Sequence, residues 1–194
     1  MQGTVCSDRH GLYDRLKRSR RAVCWAHLKR DFQRWVDRGG EAAARIGEAG
    51  LSVTREVCAL FARFKRGEIG RPRLRRRLAP LRKRVRALLA WGMTCGVKKA
   101  RYFCRNVMKL EPALWTFARV EGVEPTNNHA ERMLRPAVIW RKKCFGSHSA
   151  GGCRYVERML TAIHTLRLRG RGVVGFLADA LTAHRNGLPA PTLC

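Results

Sequence analysis

Between Arg71 and Arg86 the chain places eight arginines and one lysine with no acidic residue among them. Leu74, Leu78, Leu81, Val85 and Leu88 recur through the same stretch at alternating four and three residues, which predicts a helix with a coiled-coil-like apolar seam. The other side of that helix then carries like charges at i,i+4, which repel instead of supporting it. Such an element needs an apolar partner along the seam and a polyanion over its outer face. The preceding pattern Val53, Val57, Leu60, Phe61 and Phe64 supplies the partner, as a helical hairpin turning near Gly67. A charge run of mixed sign is usually just a solvated helix face. A run of one sign is better explained by the DNA backbone, with Arg75, Arg76, Arg77 and Arg82 as contacts.

The whole chain repeats that imbalance. Its 194 residues hold 41 Lys and Arg against 14 Asp and Glu, a formal charge of +27. Self-repulsion at that charge is large unless a polyanion offsets it, so nucleic acid is the natural partner. An RNA-binding protein would share the composition, so charge selects nucleic acid and no particular chemistry. No run of eighteen apolar residues and no signal-peptide core occurs, which predicts a soluble, cytoplasmic protein with no membrane partner. The eight cysteines include no Cys-x-x-Cys pair and read as reduced, mostly buried small hydrophobes.

Thr4-Val5-Cys6 reads as a short strand that delivers Asp8 to its C-terminal tip, where α/β sheets bind ligands. A helix over about 12–18 and a second strand over about 21–24 follow. His27, Leu28, Phe32, Trp35 and Val36 predict a helix stopping at Gly39-Gly40, and Ala100, Phe103, Val107 and Leu110 one closed by Glu111-Pro112. Thr126, Asn127 and Asn128 cap a helix whose apolar stripe is Ala130, Met133, Leu134 and Ala137 and which is expected to end at Pro136. Val138-Ile139-Trp140 is then a short extension or a strand-like connector. After the small-residue loop 147–152, Tyr155, Val156, Met159, Leu160, Ile163 and Leu166 form a buried stripe. Gly170-Arg171-Gly172 separates it from a last helix carrying Val173, Phe176, Leu177, Ala180 and Leu181, and the tail from Gly187 is expected to be disordered.

Glu131 shares a helix face with Asn127, Asn128 and Arg135. A carboxylate held on a rigid element suits magnesium, which takes oxygen ligands and needs only one or two protein carboxylates. The plain alternative is an N-capped surface helix with a Glu131–Arg135 ion pair. Cys24 and His27 are zinc-ligand types, but two ligands do not close a tetrahedral site, and a buried strand end with a packed imidazole is the simpler reading. His129 and His148 read as polar surface residues. His148, in its loop beside Arg141, Lys142 and Lys143, can also meet DNA phosphate, and Trp140 either stacks on a distorted base or fills a core.

Longer stretches of text carry a family resemblance. Pro125-Thr-Asn-Asn-His-Ala-Glu-Arg-Met-Leu-Arg-Pro136, Val138-Ile-Trp-Arg-Lys-Lys-Cys-Phe-Gly-Ser-His-Ser149 and Gly151-Gly-Cys-Arg-Tyr-Val-Glu-Arg-Met-Leu160 closely resemble the C-terminal catalytic segment of DDE transposases of insertion-sequence family 66. Cys24-Trp-Ala-His27 resembles that family's Cys-Trp-Ala-His motif. Ser7-Asp-Arg-His-Gly-Leu-Tyr13 resembles its Ser-Asp-Gly-Tyr motif, with Arg9-His10 in place of Gly-Tyr. The likeness runs from about residue 5 to about 185 and is weak between 40 and 115. It implies magnesium-dependent cleavage and transfer of DNA strands, acting on element ends and target. It further implies an RNase H-like core in which two aspartates and a glutamate hold two Mg2+ ions. Asp8 matches the second aspartate and Glu131 the glutamate, so these two would be the catalytic metal ligands. Arg135, Arg141, Lys142, Lys143 and His148 join the arginines of the 71–86 helix as expected DNA contacts.

The resulting fold class is mainly α: the C-terminal part of an RNase H-like α/β domain with few remaining strands. Residues 1–25 would be the sheet remnant with Asp8, 26–115 a helical insertion, 116–186 the catalytic helices with Glu131, and 187–194 the tail. Only seven residues precede Asp8, and Asp14, Asp31 and Asp37 read as helix-surface acids, so the first aspartate has no match. The expectation is a fragment inactive by itself, whose missing part comes from an adjoining reading frame. Two DNA ends have to be joined, which suits a homodimer. The rival reading is a non-enzymatic, basic helical nucleic-acid-binding protein. A third is an RNase H-like nuclease unrelated to transposition.

Overall fold

The computed structural model describes residues 3–193, so Cys194 and the first two residues of the expected sheet remnant lie outside it. Strands β1 (Val5–Ser7) and β2 (Arg21–Val23) pair in parallel, with Val5 opposite Arg21 and Ser7 opposite Val23. Parallel strands need a connection of a dozen or more residues. Here it consists of two 3₁₀ turns, Gly11–Arg15 and Arg18–Arg20, where the sequence suggests one helix. The backbone N–H of Cys24 donates to Ser7 O at 2.9 Å and extends the pairing one step.

Nine α-helices follow among the described residues: α1 (Trp25–Arg38), α2 (Glu41–Lys65), α3 (Arg71–Thr94), α4 (Lys98–Lys109), α5 (Glu111–Leu114), α6 (Thr116–Arg119), α7 (Asn128–Lys143), α8 (Ala150–Leu168) and α9 (Val173–Arg185). The chain is mainly helical, as the periodicities require. It divides into two compact units, residues 1–128 and 129–194.

In the first unit α1 to α4 pack in sequence order. Leu28 and Phe32 of α1, Ile46, Val53 and Val57 of α2, Leu74, Leu81 and Val85 of α3, and Phe103 and Val107 of α4 are buried together. Gly39 and Gly40 adopt φ of 73° and 87°, a left-handed bend that ends α1 and reverses the chain into α2. The helices then cross so closely that a Cβ on Gly47 would sit 2.7 Å from Val36 N and 2.8 Å from Phe32 O, both backbone atoms of α1. Backbone cannot swing aside as a side chain can. Gly47→Ala is therefore expected to push α1 and α2 apart and cost about 1–3 kcal/mol, measured as a lower urea midpoint. An unchanged midpoint would mean the crossing is looser than this.

Two details depart from the sequence reading. On α3 the buried side chains are those of Leu74, Leu78, Leu81, Val85 and Leu89, followed by the buried Gly92, with Leu88 only partly covered. A straight α-helix drifts off a seven-residue repeat by about 20° per heptad, and over this length the drift brings Leu89 inward in place of Leu88. Pro136 does not end the helix that carries Glu131, because α7 continues through it to Lys143. An internal proline removes one i→i−4 hydrogen bond and bends the helix, yet the residues after it still donate to their own partners. Val138-Ile139-Trp140 is accordingly helical, the first of the two options.

The second unit consists of most of α7, with α8 and α9. Ser149 caps α8, its Oγ accepting from Gly152 N at 3.0 Å. Among the described residues here only Leu166 and Ala183 are buried, while Tyr155, Leu134 and Leu181 are about two-thirds exposed. The stripes expected on α7, α8 and α9 are thus present as patterns, but most of their residues are only half-buried. Residues 188–193 have no regular secondary structure, and Thr192 O accepts from Arg171 Nη1 at 2.9 Å.

Candidate active site

Asp8 follows β1 directly, at the C-terminal end of the parallel pair. Its Oδ1 accepts from His10 N at 2.9 Å, an Asx-type turn that bends the chain away from the strand. Arg21 fixes the same corner from below. This arginine is buried on β2; it donates from Nη2 to Asp8 O at 3.0 Å, from Nε to Ser7 Oγ at 3.3 Å and from Nη1 to Asp14 Oδ1 at 2.9 Å. Thr116 Oγ1 in turn donates to Arg21 O at 2.9 Å, which ties β2 to α6. Arg21 is a positioning residue for Asp8, and nothing in the alternation of so short a strand marks it out.

Asp8 opens into a cleft of about 300 Å³ shared with Arg9, His10, His27, Arg30, Asp31 and Arg34. Asp8 makes no ion pair among the described residues. Asp31 is fully engaged instead: Oδ2 accepts from Arg9 Nε at 2.9 Å and Nη2 at 2.6 Å, and Oδ1 from Arg34 Nη1 at 3.3 Å. Asp14 faces Arg21, and Asp37 Oδ1 accepts from Gln33 Nε2 at 2.9 Å. The cleft therefore offers one aspartate without an ion-pair partner among the described residues, in a cationic rim that favours an anionic group such as a phosphate.

Cys24 ends the β2 side as the residue before α1, fully buried, and its Sγ accepts from Asn127 N at 3.4 Å. Trp25 N donates to Pro125 O at 2.8 Å. The segment before α7 is thereby tied to the strand tips within the first unit. Glu131 stands on the first turn of α7, in the second unit, where the helix dipole favours a carboxylate.

The expected DNA contacts fall in two places. Arg75, Arg76 and Arg77 are exposed on α3, with no carboxylate partner among the described residues. Arg82, on the same helix, is held by Glu111 through Nε to Oε1 at 2.7 Å and Nη2 to Oε2 at 2.9 Å. That pairing raises the Arg82 pKa, with the hydrogen bonds to the carboxylate as the main cause. Arg135, Arg141, Lys142 and Lys143 are exposed on α7, the last three in its final turn, and His148 is exposed in the loop that follows.

Asp8 and the Cys24–His27 segment thus lie in the first unit, and the helix bearing Glu131 follows them along the chain. Residues 1–155 match the family model described as Transposase IS66 family. The chain belongs to the IS66 transposase family. It is also similar to an uncharacterized protein, y4qI, of Sinorhizobium fredii, with 26% identity over 179 residues. The alignment covers 87% of this chain and 32% of that protein, so the chain spans about a third of the length of this relative. No solved structure matches.

Sequence reasoning overlooked Glu111. Read as a helix closer, it is a buried carboxylate that binds Arg82 on one side and accepts from Trp115 Nε1 at 3.0 Å on the other. A lone acid in the apolar text Leu110-Glu-Pro-Ala-Leu-Trp115, opposite an acid-free arginine helix, was the available signal.

Proposed function

We propose that this IS66-family chain serves DNA transposition as part of a transposase, and that Asp8 and Glu131 are its magnesium ligands. The observation that carries the reading is Asp8 itself, an acid held at a parallel strand tip by Arg21 and His10 while its neighbours Asp14 and Asp31 are spent on arginines. The donor set fits the ion. Magnesium keeps several waters, takes one or two carboxylates and completes its shell with substrate phosphate oxygens. When bound, it would lower the pKa of an attacking water or 3′-hydroxyl and stabilise the leaving oxygen of an in-line displacement.

The protein's own part is positioning and charge. Arg21 holds the Asp8 backbone, so the carboxylate needs no reorganisation to act as a ligand. Arg9 and Arg34 share the single charge of Asp31, which leaves net positive charge in the cleft for a DNA phosphate. Family membership favours this reading over a purely structural nucleic-acid-binding role. The aspartates that could serve as a third ligand within the first unit are paired, so the isolated chain is expected to hold metal without joining strands.

The test is Mn2+ binding in the presence of duplex DNA from the element ends, followed by the electron paramagnetic resonance of free Mn2+. Asp8→Asn and Glu131→Gln are each expected to weaken binding at least tenfold, since ligand loss exceeds the effect of removing a supporting group. Equal binding in wild type and both variants would refute the assignment.

A further inference from the structure

α3 does more than present charge. Beside it lies a cleft of about 460 Å³, lined by Pro72, Arg75, Arg76, Leu78, Ala79 and Arg82 from α3 and by Trp115, Ala118 and Arg119 from the segment opposite. Its two parts differ in chemistry. One wall is apolar: Pro72, Leu78, Ala79, Ala118 and Trp115. The rim is cationic: Arg75 and Arg76 have no acidic partner among the described residues, and Arg119 donates from Nη2 to Pro112 O at 2.9 Å, a neutral acceptor that leaves its charge uncompensated. Arg82 is the exception, because Glu111 neutralises it. The same Glu111 fixes the Trp115 indole, so the back of the cleft is held from both sides.

A flat backbone-binding face needs no such recess. Duplex phosphates lie on a convex surface and are met by exposed cationic and polar donors that need no enclosed pocket. A cavity that joins an apolar wall to three uncompensated arginines fits a ligand with a flat apolar body and an attached anion. Within DNA that ligand is a single unstacked nucleotide, its base against the wall and its flanking phosphates on Arg75, Arg76 and Arg119. The size is in the range of small-ligand sites.

We propose that this cleft receives one extrahelical nucleotide of a distorted DNA strand, an assignment that rests on DNA being the partner. It makes α3 a reader of strand distortion as well as an electrostatic contact. Ala79 allows a clean test, since it is exposed on α3 and a larger apolar side chain there fills the recess without changing charge.

The experiment compares, by fluorescence anisotropy, a paired 20-base-pair duplex, the same duplex with one central unpaired thymidine, and the same duplex with an abasic residue at that bulge. The bulged thymidine is expected to bind about tenfold tighter than the paired duplex, the order of gain from burying one base face. The abasic bulge should lose that gain. Ala79→Leu should abolish the preference and leave affinity for the paired duplex unchanged. Arg119→Gln should reduce the preference as well. Equal binding of all three DNAs, or a preference that survives Ala79→Leu, would overturn the cleft assignment while leaving duplex binding standing. Absence of binding to any of the three at low salt would remove the DNA reading itself, and this inference with it.

Discussion

Trp25→Ala is expected to cost the first unit about 3–5 kcal/mol, the range for deleting a large buried aromatic. The side chain is fully buried at the start of α1. Its ring meets Trp115 edge-on, with centroids 5.3 Å apart, and its Nε1 donates to Leu114 O at 2.8 Å. Truncation leaves a cavity under the strand tips and an unsatisfied carbonyl at the end of α5. Trp25→Phe divides the effect: most apolar area survives, the indole hydrogen bond does not, and about 1–2 kcal/mol should be lost. Urea unfolding followed by circular dichroism at 222 nm would check both, with the midpoint falling in the order wild type, Phe, Ala. A Trp25→Ala midpoint within error of wild type would show that the ring is not the anchor of this corner.

The second large effect is electrostatic. Replacing Arg75, Arg76 and Arg77 together by Ala removes three exposed charges that have no ion-pair partner among the described residues. Each phosphate contact adds about 0.9 to the slope of log affinity against log salt. The slope should therefore fall by roughly 2.7, and affinity at about 0.1 M salt by more than a hundredfold. Arg82→Ala is the informative contrast. Its charge is already matched by Glu111, so the slope should change little while the unpaired buried carboxylate destabilises the fold. Equal slopes for wild type and the triple variant would place the DNA surface elsewhere, with the exposed cations of α7 as the next candidate.

Much of this was legible from residue order because helices report themselves. The stripes of α1, α3 and α4 are long enough to fix element type, and the apolar faces of these three pack where periodicity says they must. Asp8 was legible for a different reason: a β-branched pair followed by Ser7-Asp8 is a strand with its polar end. Three things were not. Leu89 replaces Leu88 because helical drift accumulates over a length that a short pattern does not sample. The continuation of α7 past Pro136 depends on tertiary and local terms that outweigh one lost hydrogen bond. Arg21 was invisible because burial of a charge depends on partners distant in sequence, whereas Glu111 had a signal in its apolar surroundings that names no partner. For α8 and α9 the pattern was right and the burial is only partial, since amphipathicity gives the direction of a face but not how fully it is covered.

The order in which the contacts at the strand tips can form has a consequence for how the molecule folds. The α1–α4 helices meet sequential neighbours and close short loops, a low-contact-order arrangement that forms quickly. The corner around Asp8 is held by Trp25 to Leu114, Arg21 to Thr116 and Cys24 to Asn127, contacts separated by 89, 95 and 103 residues. Those closures are entropically costly until the intervening helices have compacted. The helical hairpins thus act as an internal template, and the corner around Asp8 is expected to be the part of this unit completed last and opened first.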